Sequence, residues 1–419
     1  MSSLNTIQTP ATDSWPTLSS PQPAELKAPL SAMDDFEIVS GFDAIARLQP
    51  LWNEAGARTG GVGVFERFEI IRAAAQLAER RGAEPLVAVI KREGRAASLL
   101  PLRRERLFGA RAAVPLVYPL AQYTDVAGQA LSPEALGRLC KLLSRRGVDV
   151  LLLTKVREDG GLFEALSHRA QSQRTPETAL YIDLAAYGTF AAYDATFSSR
   201  TRRNRRQRLQ RLEAEVGPLT FEVLRGADAA AAFDTALDWK RRWLTQRGMS
   251  SPVFDSGNWE RLLRETVCSG GAIVTALKTA TAPVAVEIGF KDRTSYVAYL
   301  GAYDEKLAGF SPGQEQMLRT IAWCFEQGFA RYDLLAPADD YKRHWARTDT
   351  GVAIDDYAIA LTPVGRGIAE LRRHVRPIAR DLYHRLSPEM RAAGGRYGVP
   401  AAAVAAAAAA AGVVMAAIE

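Results

Sequence analysis

Gly309 to Gln314 read Gly-Phe-Ser-Pro-Gly-Gln and open an apolar-periodic run. Ser311 is a natural N-cap, and Pro312 suits the first helical position. Gly313 then weakens the helix, by about 1 kcal/mol against Ala in a helix interior. It also removes the side chain that would block a ligand. A helix N-terminus carries unpaired N–H groups and a partial positive charge, so it favours an anion. Gly309, Phe310, Ser311, Pro312, Gly313 and Gln314 are therefore candidates for holding a phosphate, with the amides of Ser311, Gly313 and Gln314 as donors. The alternative is a plain capping box, Ser311 with Gln314 three residues on.

Two carboxylates could handle a proton. Glu287 stands inside the apolar strand Pro-Val-Ala-Val-Glu-Ile-Gly-Phe. By alternation it shares a face with Ala285, opposite Val284, Val286 and Ile288; that face is either solvated or functionally placed. Asp333, in Arg-Tyr-Asp-Leu-Leu, is either a base or a structural cap. Tyr303 can supply a phenol, whereas Tyr299 reads as core. Cys324, between Trp323 and Phe325, also reads as core.

The elements around these residues occur twice. Val64–Arg104 reads helix, strand, turn, strand, with strands at Pro85–Arg92 and Arg95–Leu102. Val253–Asp292 repeats that order, with strands at Ala272–Thr279 and Pro283–Lys291, and a third follows at Thr294–Ala302. Ser132–Val156 and Ser311–Leu335 are both Ser-Pro, helix, Gly, strand. The copies differ after Ser-Pro, where the first has Glu134 and the second has Gly313. Glu134 fills the helix start with its own carboxylate, so the first copy reads as self-capped and the second as open.

These residues resemble the GNAT acyltransferase superfamily. They look most like its CelD-type acetyltransferases of polysaccharide and cellulose biosynthesis, themselves similar to the tandem-GNAT Fem peptidyltransferases. The resemblance is carried by Ala302–Met317, Gly328–Pro337 and Tyr341–Trp345, and spans roughly Phe36 to Leu361. It implies an α/β (α+β) fold of two tandem GNAT-like domains with mainly antiparallel sheets. The implied divisions are a leader (1–33), a degenerate copy (34–183), a catalytic copy (184–364), a basic amphipathic segment (365–398) and an Ala-rich tail (399–419). It also implies an N-acyltransferase that uses acyl-CoA, such as acetyl-CoA, with no metal. The acceptor would be a small molecule or an amino group of a glycan precursor. Lys342 would then clamp the donor phosphates, with Tyr341 packed beneath it, and Tyr303 would protonate the leaving thiolate. Two other readings stay open: a Fem-like ligase drawing on aminoacyl-tRNA, and a non-enzymatic basic scaffold in polysaccharide assembly.

Composition agrees with direct transfer. There is no Ser-His-Asp or Cys-His arrangement, and GNAT-type transfer needs none, because the amine attacks the thioester itself. The four histidines form no zinc-type pair, and the three cysteines form no disulfide framework. A cytoplasmic location, peripheral to the inner membrane at most, is the expectation.

Net charge is +6, and Ser198–Leu212 alone holds seven arginines and no acid. Capped by Ser198 or Ser199, this helix offers Arg202, Arg203 and Arg206 to an anionic substrate, or is a solvated face. It lacks interleaved aromatics, so a stacking nucleic-acid surface, DNA included, is not expected. Ile368–Leu386 is a basic amphipathic stripe interrupted by Pro377, able to dock on the protein or on an anionic membrane. Met1–Met33 reads as a disordered leader without a signal peptide, and Val399–Ile418 as a low-complexity helical tail or a short membrane anchor.

Overall fold

The computed structural model describes residues 34–385 apart from 169, 174, 175, 250, 255, 256 and 349, with backbone alone for 375–385. The leader and the Ala-rich tail lie outside the described residues. The strands in chain order are β1 (Asp35–Ser40), β2 (Glu84–Arg92), β3 (Arg95–Leu107), β4 (Ala110–Pro115), β5 (Ala127–Gly128), β6 (Val150–Arg157) and β7 (Gln171–Ser172). They continue with β8 (Glu177–Asp183), β9 (Thr220–Leu224), β10 (Ile273–Lys278), β11 (Pro283–Asp292), β12 (Ser295–Tyr303), β13 (Arg331–Asp333) and β14 (Gly351–Ala360).

The chain forms two compact units. Among described residues, one holds 34–178, 244–262 and 352–385, and the other holds 179–243 and 263–351. In the first, the strand order is β1-β2-β3-β4-β6-β14, with β5 on β3 and β7 on β14. β4 and β6 run parallel, meeting at Ala112↔Val150 and Ala113↔Leu151. The Pro133–Arg145 helix buries Leu136, Leu139 and Leu143 against Leu100, Leu102 and Leu151. The Pro363–Arg385 helix lays Ile368 and Ala369 on Ala110, Ala112 and Leu152. Its backbone continues through Pro377, where the sequence suggested a break.

The second unit has the order β8-β13-β12-β11-β10-β9. Here β12 and β13 are the parallel pair, matched only over Ser295↔Arg331, Tyr296↔Tyr332 and Val297↔Asp333. Beyond Val297, β12 runs on to Tyr303 while β13 has ended. The Pro312–Glu326 helix covers this region with Met317, Ile321 and Cys324.

Two strands depart from the sequence boundaries. β14, expected in the second copy, pairs with β6 of the first through Ile354↔Arg157 and Ala360↔Val150. β8, expected at the end of the first copy, pairs with β13 through Arg331↔Asp183 and Asp333↔Tyr181. Each unit thus takes one strand from the other half of the sequence. Either strand could fill an open sheet edge, and pairing across so many residues leaves no local signal.

Candidate active site

Glu287 is not on a solvated face. Both faces of β11 are covered, and Glu287 is only 5% exposed. A buried carboxyl needs hydrogen bonds. Its Oε1 accepts from the Tyr296 hydroxyl at 2.9 Å and the Tyr332 hydroxyl at 2.8 Å. The two rings are register partners on β12 and β13, and they stack with centroids 5.1 Å apart. Burial pushes the Glu287 carboxyl up to about 7, against the opposing pull of the Tyr332 and Tyr296 hydroxyls. Burial first, and then the Glu287 charge, raise both phenols well above their ordinary value, so they remain protonated donors.

Two further observations position this carboxyl. Its partner on β10 is Thr275, whose hydroxyl lies 3.1 Å from that of Thr320 and accepts from Gln316 Nε2 at 2.8 Å. Its partner on β12 is Gly301, which is exposed and has open space where a side chain would stand. Glu287 therefore sits beside the stretch of β12 that β13 leaves behind. At the end of that stretch, Trp239, Trp243, Gly301, Tyr303 and Glu305 line a cavity of about 210 Å³. Cys324 is fully buried, and burial raises its thiol well above the usual value, so it is core rather than nucleophile.

The helix starts of the two copies differ more than the sequence suggested. Ser132 is extended, and its side chain accepts from Ala135 N at 3.2 Å. Ser311 is left-handed, with φ 56° and ψ 52°, and its side chain caps nothing. The capping-box alternative therefore fails at Ser311. The expected set of donor amides is also narrower. Ser311 N donates to Ala308 O at 3.0 Å and Gln314 N to Ser311 O at 3.1 Å, leaving Gly313 as the candidate not engaged this way. Gly313 has a packing reason as well, because a Cβ there would lie 3.0 Å from Cδ1 of Tyr303. Gly309 is exposed with open space at its Cβ position, Pro312 is buried, and Phe310 packs beside Leu212 and Tyr303.

The remaining candidates fall into two groups. Asp333 is buried and its Oδ1 accepts from Leu335 N at 2.8 Å, which supports a turn at left-handed Leu335. Lys342 Nζ donates to Leu335 O at 2.9 Å, and the Tyr341 hydroxyl donates to Met317 Sδ at 2.7 Å. These bonds fasten the loop after β13 and the short Asp340–Ala346 helix.

The arginine helix (Ser199–Val216) is capped by Ser198, whose side chain accepts from Thr201 N. It turns Arg205 inward, 3.2 Å from Asp194 and 4.2 Å from the Phe197 ring centre. Arg202 is partly buried, and Arg203 and Arg206 face outward. Glu315, in the first turn of the Pro312–Glu326 helix, is among the charges acting on Arg205. Burial and the charges of Arg347, Arg205 and Arg208 hold His344 below its ordinary value. Arg205, paired with Asp194, thus brings its charge near Glu315 at the start of the Pro312–Glu326 helix.

The sequence missed Tyr296, Tyr332, Thr275, Gln316 and Trp239. A signal existed: a carboxylate in an apolar strand calls for donors on the flanking strands, and both tyrosines lie there.

Residues 199–343 match the acetyltransferase (GNAT) domain. The solved structure of FemX is similar over 77% of this chain and 98% of its own, at 11% identity and a TM-score of 0.53. A Bacteroides thetaiotaomicron protein of unknown function is 10% identical over 78% of this chain and 99% of its own, TM-score 0.48. A tandem GNAT protein from the clavulanic acid biosynthesis pathway is 12% identical over 78% and 99%, TM-score 0.43. No curated protein matches the chain in sequence. The chain thus shares the fold of FemX, mixed α/β in two units, with the acetyltransferase (GNAT) domain match confined to residues 199–343. Among the described residues, no group of three His, Cys, Asp or Glu is placed to hold a metal, and no helix is long and apolar enough to cross a membrane.

Proposed function

We propose that the unit of residues 179–243 and 263–351 is an N-acyltransferase that moves an acyl group from acyl-CoA to an amino group, with Glu287 as the base. The observation that carries this reading is the buried Glu287 carboxyl, poised near neutrality beside the unpaired length of β12. The acetyltransferase domain match over 199–343 supports the reaction class. A general base works best with a pKa near the operating pH, and burial supplies that here.

In this reading the acyl thioester lies along Ala298–Tyr303, with its phosphates toward Gly313 and the arginine helix. The amine nitrogen attacks the thioester carbonyl carbon and forms the C–N bond. Its proton passes to Glu287, directly or through one water. The tetrahedral intermediate collapses, the C–S bond breaks, and the thiolate takes a proton from Tyr303. Tyr296 and Tyr332 keep the carboxylate oriented and solvated by protein rather than by water. The first unit lacks this equipment, since Ala96–Leu102 in β3 carries no titratable side chain. The resemblance to CelD-type proteins suggests an amino sugar of a polysaccharide precursor as acceptor.

Calorimetry with CoA and acetyl-CoA at low salt, followed by acetyl transfer to a panel of amines that includes glucosamine, tests the proposal. Binding with acetylated amine as product is the expected result. Absence of CoA binding sinks it, and activity abolished by ribonuclease would move the donor to an aminoacyl-tRNA.

A further inference from the structure

The first unit carries an edge that the acyl-transfer reading does not use. The β3–β4 hairpin turns at Phe108, which is 57% exposed in a left-handed conformation. Behind this tip, Arg106 and Arg111 stand directly opposite each other. Asp149 ties the hairpin to the start of the Pro363–Arg385 helix: it accepts from Arg111 N at 2.8 Å and from the Thr362 hydroxyl at 3.0 Å. Two residues beyond Thr362, Val364 is 58% exposed. Gly365 lies so close to Asp149 O that a side chain there would collide with it. Phe108 and Val364 are therefore two bare apolar side chains at one end of the unit.

Positive charge surrounds them. Arg111 lies over Gly147, in the turn that also bears exposed Arg145, and Arg366 is exposed one turn into the helix. Arg106, Arg145 and Arg366 have no acidic partner among the described residues. The nearby acids are engaged elsewhere: Asp149 on Arg111 and Thr362, Glu105 on Arg103, Glu84 on Arg104, and Glu370, one turn beyond Arg366, on Gln171 and His374.

We infer that this edge, the β3–β4 hairpin tip with the first turn of the Pro363–Arg385 helix, docks the protein on an anionic lipid surface. Exposed apolar side chains ringed by unpaired arginines match an interface of acyl chains beneath negative headgroups. An aliphatic side chain beside the aromatic one favours lipid over nucleic acid, which would use stacking rings. Phe108 and Val364 would enter the headgroup layer while the arginines meet phosphates.

Sedimentation of the full-length protein with phosphatidylglycerol–phosphatidylcholine vesicles, against pure phosphatidylcholine, tests this. Binding is expected only to the anionic vesicles, and it should fall with salt. Replacing Arg106, Arg145 and Arg366 together by Gln should weaken it by about a hundredfold. Phe108→Asn suits the left-handed turn and keeps the fold, yet should also weaken binding. In a separate variant, Phe108→Trp should shift its emission to the blue on the anionic vesicles. Equal binding to both vesicle types, full binding by the triple variant, or no emission shift would each overturn the inference. So would RNA that displaces the protein from vesicles with the Trp emission unchanged, since it would assign the arginines to nucleic acid.

Discussion

The Tyr296 ring occupies the space that a side chain on Gly289 would need: a Cβ built on Gly289 falls within the phenol. The β11–β12 register slips between Ile288 and Gly289, which brings this bare position under the ring. Tyr296 is fully buried, and its hydroxyl reaches Glu287, two residues before Gly289. A glycine in a strand commonly marks such a close approach.

Gly289→Ala should therefore destabilise the unit by about 1–3 kcal/mol, the usual cost of overpacking. It should also disturb Glu287, because the ring cannot stay in place. Urea unfolding gives the first quantity, and the pH dependence of transfer gives the second. A variant with unchanged stability and an unchanged profile would refute the link between this glycine and the carboxyl.

With Glu287 as the proposed base, both activity and stability depend on pH through this carboxyl. As the base it must be ionised, so kcat/KM should rise about tenfold per pH unit below about 7 and level off above it. Glu287→Gln should lose about 10²–10⁴-fold in rate together with this limb. The stability effect has the opposite direction. A raised carboxyl pKa means that the folded state binds more protons than the unfolded chain, so stability falls as pH climbs from about 4.5 to about 7. The full span is worth about 3 kcal/mol. Glu287→Gln should remove that loss and unfold later than the wild type at pH 8. Urea midpoints across this range would show it.

Gly313→Glu copies the first unit's Glu134 and places a carboxylate at the helix start. We expect at least tenfold weaker CoA binding, which calorimetry would measure. The substitution also pushes on Tyr303, so the same change in a Tyr303→Ala background serves as a control. If the double variant binds CoA as well as Tyr303→Ala alone, the effect belongs to the displaced ring and not to a phosphate.

Arg205 and Arg203 separate structure from charge on one helix. Arg205 is buried against Asp194 and Phe197, and Arg205→Ala leaves that acid without its partner. A loss of about 3 kcal/mol is expected in chemical denaturation. Arg203 is outward, and Arg203→Ala should change stability by no more than about 0.5 kcal/mol. Any loss of anionic-substrate binding in Arg203→Ala would then reflect charge alone.

The sequence by itself determined the local pieces. Apolar periodicity located β2, β3, β10, β11 and β12, and Ser-Pro with a following Gly located the Pro133–Arg145 and Pro312–Glu326 helices, because these signals act within a few residues. It also singled out Glu287 and Gly313 as unusual. Tertiary structure decided what surrounded them. Alternation suggested an open face for Glu287, but the Pro312–Glu326 helix and two tyrosines, one from β12 and one from β13, bury it and raise its pKa. Whether Ser311 caps its helix rested on a backbone torsion that composition does not encode. The assignments of β8 and β14 depended on which open sheet edge each strand found, a choice made by pairing between residues far apart in the chain.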